Sequence, residues 1–232
     1  ATTATDRATV PNSLEHQPLR ILRRRIVLTG AAGLLLPRMA QAARVVTPAQ
    51  MQGPFYPLEL PLDRDNDLTT VAGRPGTAHG VITDVAGRVV DLAGRAVAGV
   101  KVEIWQVNGH GRYHHPDDDS DRPVDPHFQG YGTTVTDRAG AYRFRTVKPL
   151  AYPGRAPHIH FALTGPGFGP FYTQMYLADA PENATDFLLS RVHDRASRDM
   201  LLVGLAPSSQ PGSALAGRFD IVLGHPLLRR EP

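Results

Sequence analysis

From residue 78 onward, apolar residues fall in short runs that alternate with polar ones and are separated by Gly, Pro and Asp. Val100, Val102 and Ile104 alternate with Lys101 and Glu103, and Tyr142 and Phe144 alternate with Arg143 and Arg145. Successive side chains of a pleated strand point to opposite faces, so this spacing marks strands with one face in a core. It predicts strands over Ala78–Asp84, Val100–Val107, Thr133–Asp137, Ala141–Thr146, His158–Thr164, Tyr172–Leu177 and Arg218–Leu223. So many short strands joined by turns predict an all-β protein, a β-sandwich core with long loops. Asp84 and Asp137 are read as turn formers. The single helical candidate is Ala184–Leu205, with its core at Asp194–Val203, and its charged middle predicts a short helix on the C-terminal side.

The 232 residues suit one large domain. Three segments are expected: a leader over 1–42, an N-terminal arm over 43–76, and the sandwich over 77–232. In the leader Arg23-Arg24-Arg25 precedes the apolar run Ile26–Leu36, and Ala40-Gln41-Ala42 follows as an A-x-A cleavage pattern. The run is too short to span a bilayer core, which needs about 20 residues, so no stable membrane insertion is expected. Arg24-Arg25-Ile26-Val27-Leu28 is similar to a twin-arginine export signal, with Val27 where Phe is usual. The protein is therefore expected to be periplasmic or exported, with a mature start near Ala43, and cytoplasmic if the leader is not processed.

Composition narrows the chemistry. There is no cysteine, which excludes disulfides, thiolate metal sites and cysteine nucleophiles. Any metal must be held by His, Tyr, Asp or Glu. Six of the 25 basic residues lie in 1–42 against two of the 22 acidic ones, so the rest of the chain carries 19 basic and 20 acidic residues. The basicity belongs to the leader, and the body shows no footprint for nucleic acid.

Strand alternation is most informative at Pro157-His158-Ile159-His160-Phe161-Ala162-Leu163. Ile159, Phe161 and Leu163 form one face, and His158, His160 and Ala162 the other. Two imidazoles two residues apart on a strand can converge on one metal ion, or simply be two surface or core histidines. Two tyrosines offer further donors. Tyr113 sits in the glycine-loosened Gly109-His110-Gly111-Arg112-Tyr113, and Tyr152 in Ala151-Tyr152-Pro153-Gly154 just before the histidine strand. A phenol coordinates as phenolate only where a strong Lewis acid displaces its proton. Two phenolates and two imidazoles make a hard, electron-rich set suited to ferric ion. His110, His114, His115, His127 and Asp117-Asp118-Asp119 read as a solvated loop rather than a second metal site. His79 reads as structural, and Trp105 as core.

These motifs resemble the intradiol ring-cleavage dioxygenases. Gly111-Arg112-Tyr113-His114, Tyr152-Pro153 and Arg155-Ala156-Pro157-His158-Ile159-His160-Phe161 carry the resemblance, with Gly53-Pro54-Phe55-Tyr56-Pro57, Val102–Gln106, Thr136–Arg145 and Tyr172–Tyr176. It covers about Thr47 to Leu223 and is strongest to the iron-bearing β subunits of protocatechuate 3,4-dioxygenase. It implies a mononuclear non-haem Fe(III) held by Tyr113, Tyr152, His158 and His160, with Tyr152 as the displaceable axial ligand. It also implies that Arg155 stabilises negative charge on the substrate and that Gln174 hydrogen-bonds around the centre. Tyr56 is expected in the substrate pocket. The implied reaction inserts both atoms of O2 into a small aromatic diol, cleaving between the hydroxyl-bearing carbons to a cis,cis-muconate. Two departures stand out: Gly154 replaces the tryptophan of the β subunits, and the insertion before the arginine is absent, so Tyr152 and Arg155 lie unusually close. Catechol, protocatechuate, hydroxyquinol and sulfonated catechols remain open as substrates. A homo-oligomer is expected, with a partner subunit as the alternative. Non-catalytic carboxypeptidase-regulatory-like or transthyretin-like sandwich modules share the Gly94–Val100 and Thr136–Phe144 patterns, and a cupin-like Fe(II) or Zn enzyme is a further reading. The ligand set is what separates them from a dioxygenase.

Overall fold

The computed structural model of the protein describes residues 44–165 and 168–224, and the expected leader lies outside the described residues. Two five-stranded sheets form the body. In the first, β1 (Ile82–Asp91) is flanked on one side by antiparallel β4 (Ala141–Val147). On its other side it pairs in parallel with β9 (Leu215–Arg218) and then β10 (Ile221–Leu223), and β8 (Ala206–Pro207) closes the edge beyond β9. The second sheet runs β3 (Tyr131–Val135), β2 (Lys101–Trp105), β5 (His158–Gly165), β6 (Phe168–Leu177) and β7 (Leu202–Val203).

The predicted alternation is what packs the two sheets together. Val85 and Val89 of β1, Phe144 of β4, Val102 and Ile104 of β2, and Ile159, Phe161 and Leu163 of β5 are all completely buried in one core. Burying each such side chain stabilises the fold by about 1.5–3 kcal/mol. The aromatic contacts Tyr142–Phe161 and Phe161–Phe219 cross between the sheets, with ring centroids 6.0 and 5.0 Å apart.

The opposite face of the second sheet is also covered. Trp105, Tyr113, Tyr131 and Ala162 form a second cluster there, with Phe55, Tyr56, Tyr152 and Tyr172 packed against it. Residues 44–76 reach this face and are tied down along the way. Thr47 N–H donates to Val222 O, Gln50 N–H to Tyr172 O and Leu68 N–H to Arg145 O, at 3.0, 2.8 and 2.8 Å.

Three expectations need correction. The first strand begins at Ile82 rather than Ala78 and continues through Gly87 to Asp91. Gly87 looks like a turn residue, yet it sits mid-strand because Phe219 O crosses there, 1.8 Å from where a Cβ would lie. Asp84 is not a turn former: it lies buried in β1, where its Oδ1 accepts from Arg143 Nη2 at 2.6 Å. Asp137 does make a turn, accepting from the N–H groups of Ala139 and Ala141. Of the helical candidate, only Arg195–Asp199 (α1) is α-helical, started by Asp194, whose side chain accepts from Ser197 N–H at 2.7 Å. Leu202 and Val203 instead pair with Tyr176 and Leu177 as β7. The sheet edge offers these residues backbone partners that outweigh helical propensity. Among the described residues no helix is long and apolar enough to cross a membrane.

Candidate metal centre

Antiparallel pairing of β5 with β2 and β6 sets the two histidines. His160 lies opposite Trp105 and Gln174, and His158 opposite Tyr176. The Trp105 ring stacks flat on the His160 ring, with centroids 4.8 Å apart and planes 9° apart. His158 Nδ1 lies 2.6 Å from Ala156 O, which fixes the proton there and leaves the Nε2 lone pair free. The two Nε2 atoms face each other at 3.1 Å, with both residues almost wholly buried. Gly53, at φ +79, brings the arm so close that a Cβ there would lie 3.2 Å from His160 Cε1.

Tyr113 enters from the loop after β2. Asn108 organises that loop, its Oδ1 accepting from His110 and Arg112 N–H, while Asp118 Oδ2 accepts from Tyr113 N–H at 2.7 Å. Arg122 Nη1 braces it further by donating to Gly111 O at 2.8 Å and Ala151 O at 3.2 Å. Tyr113 Oη thereby lies 3.1 Å from His160 Nε2 and 3.5 Å from His158 Nε2.

Tyr152 arrives on a tight turn. Tyr152-Pro153-Gly154-Arg155 is closed by Arg155 N–H donating to Tyr152 O at 2.9 Å, with Gly154 at φ +77. Pro at the second position and a positive-φ Gly at the third make this a type II turn. The two departures from the family pattern are therefore one feature: the shortened loop and its glycine form the turn. It carries Arg155 back over the ring, with Nη1 3.3 Å from Tyr152 Oη. Tyr152 Oη is 3.4 Å from His158 Nε2 and 3.5 Å from Tyr113 Oη.

Four donor atoms thus surround one point, 3.1–3.5 Å from one another along five of their contacts. Donors held about 2 Å from a common ion lie about 3 Å apart, so the spacing fits a metal. Among the described residues no three His, Asp or Glu side chains form such a group, so the phenols complete the set. Burial and the nearby Arg155 pull the His158 pKa down to about 3, and burial and His158 push that of His160 well below its usual value. Both rings are held neutral, each with a lone pair a cation could use. Burial raises the pKa of Tyr113 well above that of a free phenol and raises that of Tyr152 also, Arg155 working against the rise at Tyr152. Both phenols are thus favoured in their neutral form, Tyr152 even with Arg155 beside it.

A buried network holds the arginine. Asp186 Oδ2 accepts from Arg155 Nε and from Ala156 N–H, both at 2.9 Å, and Oδ1 accepts from Leu188 and Leu189 N–H. Burial opposes the charge on Asp186, but the N–H groups of Leu189 and Ala156, with Arg155, outweigh it and hold its pKa below the usual carboxylate range. Arg155 Nη2 reaches Gln174 Oε1 at 2.5 Å and Tyr176 Oη at 3.2 Å, placing Gln174 beside the centre. Tyr56 is one step further out. Its hydroxyl donates to Glu103 Oε1 at 3.0 Å, and its ring meets Trp105 edge-on. Burial and Glu103 push its pKa up to about 12.

Sequence reasoning missed several residues here. Phe55, not Tyr56, lies against one of the four converging side chains, stacking on Tyr113 with centroids 4.5 Å apart. Glu103, expected on an outward polar face, is buried and also accepts from Tyr131 Oη. Tyr176 was legible, since it shares the face of Gln174 two residues earlier. Asp186 carries no local signal, because its partners lie 30 and 31 residues away. His115 is buried rather than solvated.

The profile of a family described as dioxygenase matches residues 51–225. The chain is also 43% identical over 168 residues to the protocatechuate 3,4-dioxygenase beta chain of Burkholderia cepacia, covering 68% of this chain and 71% of that one. The chain belongs to the intradiol dioxygenase family. A catechol 1,2-dioxygenase of Candida albicans is 26% identical over 197 residues, which span 77% of this dioxygenase and 61% of that longer protein. Among solved structures, the dioxygenase domain of a dioxygenase–carbohydrate-binding protein fusion from Streptomyces sp. SirexAA-E superposes with a TM-score of 0.59 at 30% identity. That match covers 78% of this chain and 99% of the other. The family comprises oxidoreductases, and membership of it sets aside the non-catalytic module and cupin readings.

Proposed function

We propose that this dioxygenase holds a single non-haem Fe(III) between Tyr113, Tyr152, His158 and His160 and cleaves a catechol between its two hydroxyl-bearing carbons, yielding a cis,cis-muconate-type product. The observation that carries this is the convergence of two imidazole Nε2 and two phenol Oη atoms on one buried point. Two anionic oxygens and two neutral nitrogens suit a hard trivalent ion better than zinc or copper(I). Ferric iron bound there supplies Lewis-acid activation of a catechol dianion toward O2. Tyr152 would be the donor to yield its place, because its side chain is only half-buried while Tyr113, His158 and His160 are closed in. On displacement its Oη would take one of the two hydroxyl protons of the catechol, the second passing to solvent. Arg155 Nη1, 3.3 Å from that oxygen, stays behind as a fixed cation where charge accumulates on the substrate. Asp186 and Gln174 keep the guanidinium from following.

All the donors and the arginine come from one chain, which supports a homo-oligomer in which each copy carries a whole centre. We also propose export by the twin-arginine route; an intact leader on protein recovered solely from the cytoplasm would reject it.

The test is a visible absorption spectrum of iron-loaded protein before and after anaerobic addition of catechol. A tyrosinate-to-iron band that shifts with catechol supports the reading, and its weakening in Tyr113→Phe or Tyr152→Phe assigns the ligands. Protein that stays colourless after iron reconstitution rejects it.

A further inference from the structure

Two clefts meet the centre on either side of Phe55. One, of ≈ 460 Å³, is bounded by Phe55 and Tyr152 on the metal side and by Asp118, Asp119, Asp121 and Arg122 on the other. The second, of ≈ 350 Å³, runs from Phe55 and Tyr113 out past Glu59, which is its only carboxylate and faces no Lys or Arg. Tyr152, the phenol proposed to yield to substrate, lines only the first of these clefts, so a catechol seated beside it would present its ring substituents toward that space.

Both spaces are negative. In the first, three carboxylates face one guanidinium, and Arg122 Nη1 is engaged with Gly111 O and Ala151 O. Asp118 accepts from the N–H groups of Tyr113 and Ser120, which fixes its carboxylate in this wall. Arg112 lies behind this loop, donating to Arg122 O and Asp118 O. Deeper in, Arg155 is matched by Asp186 at 2.9 Å. A third, smaller cleft of ≈ 200 Å³ beside Tyr113 holds Arg74 and Asp125 in balance. Of the lining carboxylates, Asp119 and Asp121 are exposed, so their effect is screened by salt within about 10 Å at 0.1 M.

We propose that this site selects catechols whose ring substituents are uncharged or cationic, and that the carboxylate wall facing Phe55 and Tyr152 discriminates against ring carboxylates and sulfonates. This rests on the iron-dioxygenase reading and names its substrate class.

Three compounds of matched shape test it: 3,4-dihydroxybenzoate, 3,4-dihydroxybenzamide and 3,4-dihydroxybenzylamine, assayed on iron-loaded protein for kcat/KM and for anaerobic binding by the shift of the visible band. At low ionic strength the amide is expected to exceed the carboxylate about ten-fold, with the amine at or above the amide. The amide-to-carboxylate ratio is expected to narrow about three- to ten-fold in Asp119→Asn/Asp121→Asn, and likewise when salt is raised with the unaltered protein. Intrinsic differences in hydroxyl acidity among the compounds cancel in that change of ratio. Preference for the carboxylate, or a ratio that neither the substitutions nor salt alters, overturns the selectivity while leaving the dioxygenase reading intact. Protein that shows no band with any of the three overturns both. The salt series stands even if the double variant fails to fold.

Discussion

Strand β5 has two faces, both buried, and they serve different ends. Ile159, Phe161 and Leu163 lock into the apolar core between the sheets. His158, His160 and Ala162 lie beneath Trp105, the tyrosines and the arm. One face keeps the fold together. The other keeps four polar atoms close that would repel or disperse without support, and it uses aromatic rings rather than aliphatic chains to do so. The lesson is that period-two alternation separates stability from chemistry within a single strand, provided another layer shields the second face from water.

Substitutions on each face test this separation. The largest expected effect is His158→Ala, which removes a donor: the iron band is lost and turnover falls at least about 1,000-fold, by analogy with loss of a group the reaction cannot replace. The melting temperature of the metal-free protein changes far less than in a core variant. Next, Phe161→Ala on the opposite face is expected to cost about 3–5 kcal/mol in denaturant unfolding. The protein that remains folded still develops the band. If Phe161→Ala abolishes the band at temperatures where the chain is folded, the two faces are not separable.

Smaller effects sharpen the picture around Arg155. Arg155→Gln is expected to lower kcat about 100-fold while the band persists, because the cation acts on developing charge and not on the metal. Gly154→Ala places a side chain at φ +77 and should destabilise by about 1 kcal/mol, with nothing nearby to clash. Its effect on kcat should exceed its effect on KM if the turn aims the guanidinium. The smallest effect is on pH dependence. The Asp186 pKa is lower in the folded than in the unfolded chain, so its stabilising contribution is complete above the unfolded carboxylate value of about 3.9. That contribution is lost as pH falls through the folded value. Asp186→Asn should therefore flatten the acid limb of the unfolding curve; an unaltered limb would show that Asp186 is not what acid titrates there.

The sequence made the β-sandwich legible because alternation at Val100–Ile104, Tyr142–Arg145 and His158–Leu163 is a local signal of which face is buried. It singled out the four side chains that converge at one buried point, through their residue types, their order and a resemblance. What it hid is non-local. Gly87 sits mid-strand only because Phe219 O crosses it from far along the chain. Glu103 looks like the polar half of an amphipathic strand until the arm arrives with Tyr56. Asp186 falls in a segment of helical pattern, yet the partners it serves, Arg155 and Ala156, belong to another loop. The turn at Tyr152 was visible as a departure from the family pattern, while its purpose appeared only once Arg155 folded back over the phenol.

That turn also decides how the centre can open. Tyr152 and Arg155 are linked by backbone hydrogen bonds in both directions, Tyr152 N–H to Arg155 O at 3.3 Å and Arg155 N–H to Tyr152 O at 2.9 Å. Proline fixes one central φ between them. The main chain has little latitude, so the phenol would move about its own χ angles while its carrier stays still. If Tyr152 gives way to substrate as proposed, its exchange would be a rotamer hop and not the opening of a loop, and the site would reset without any segment having to refold around it.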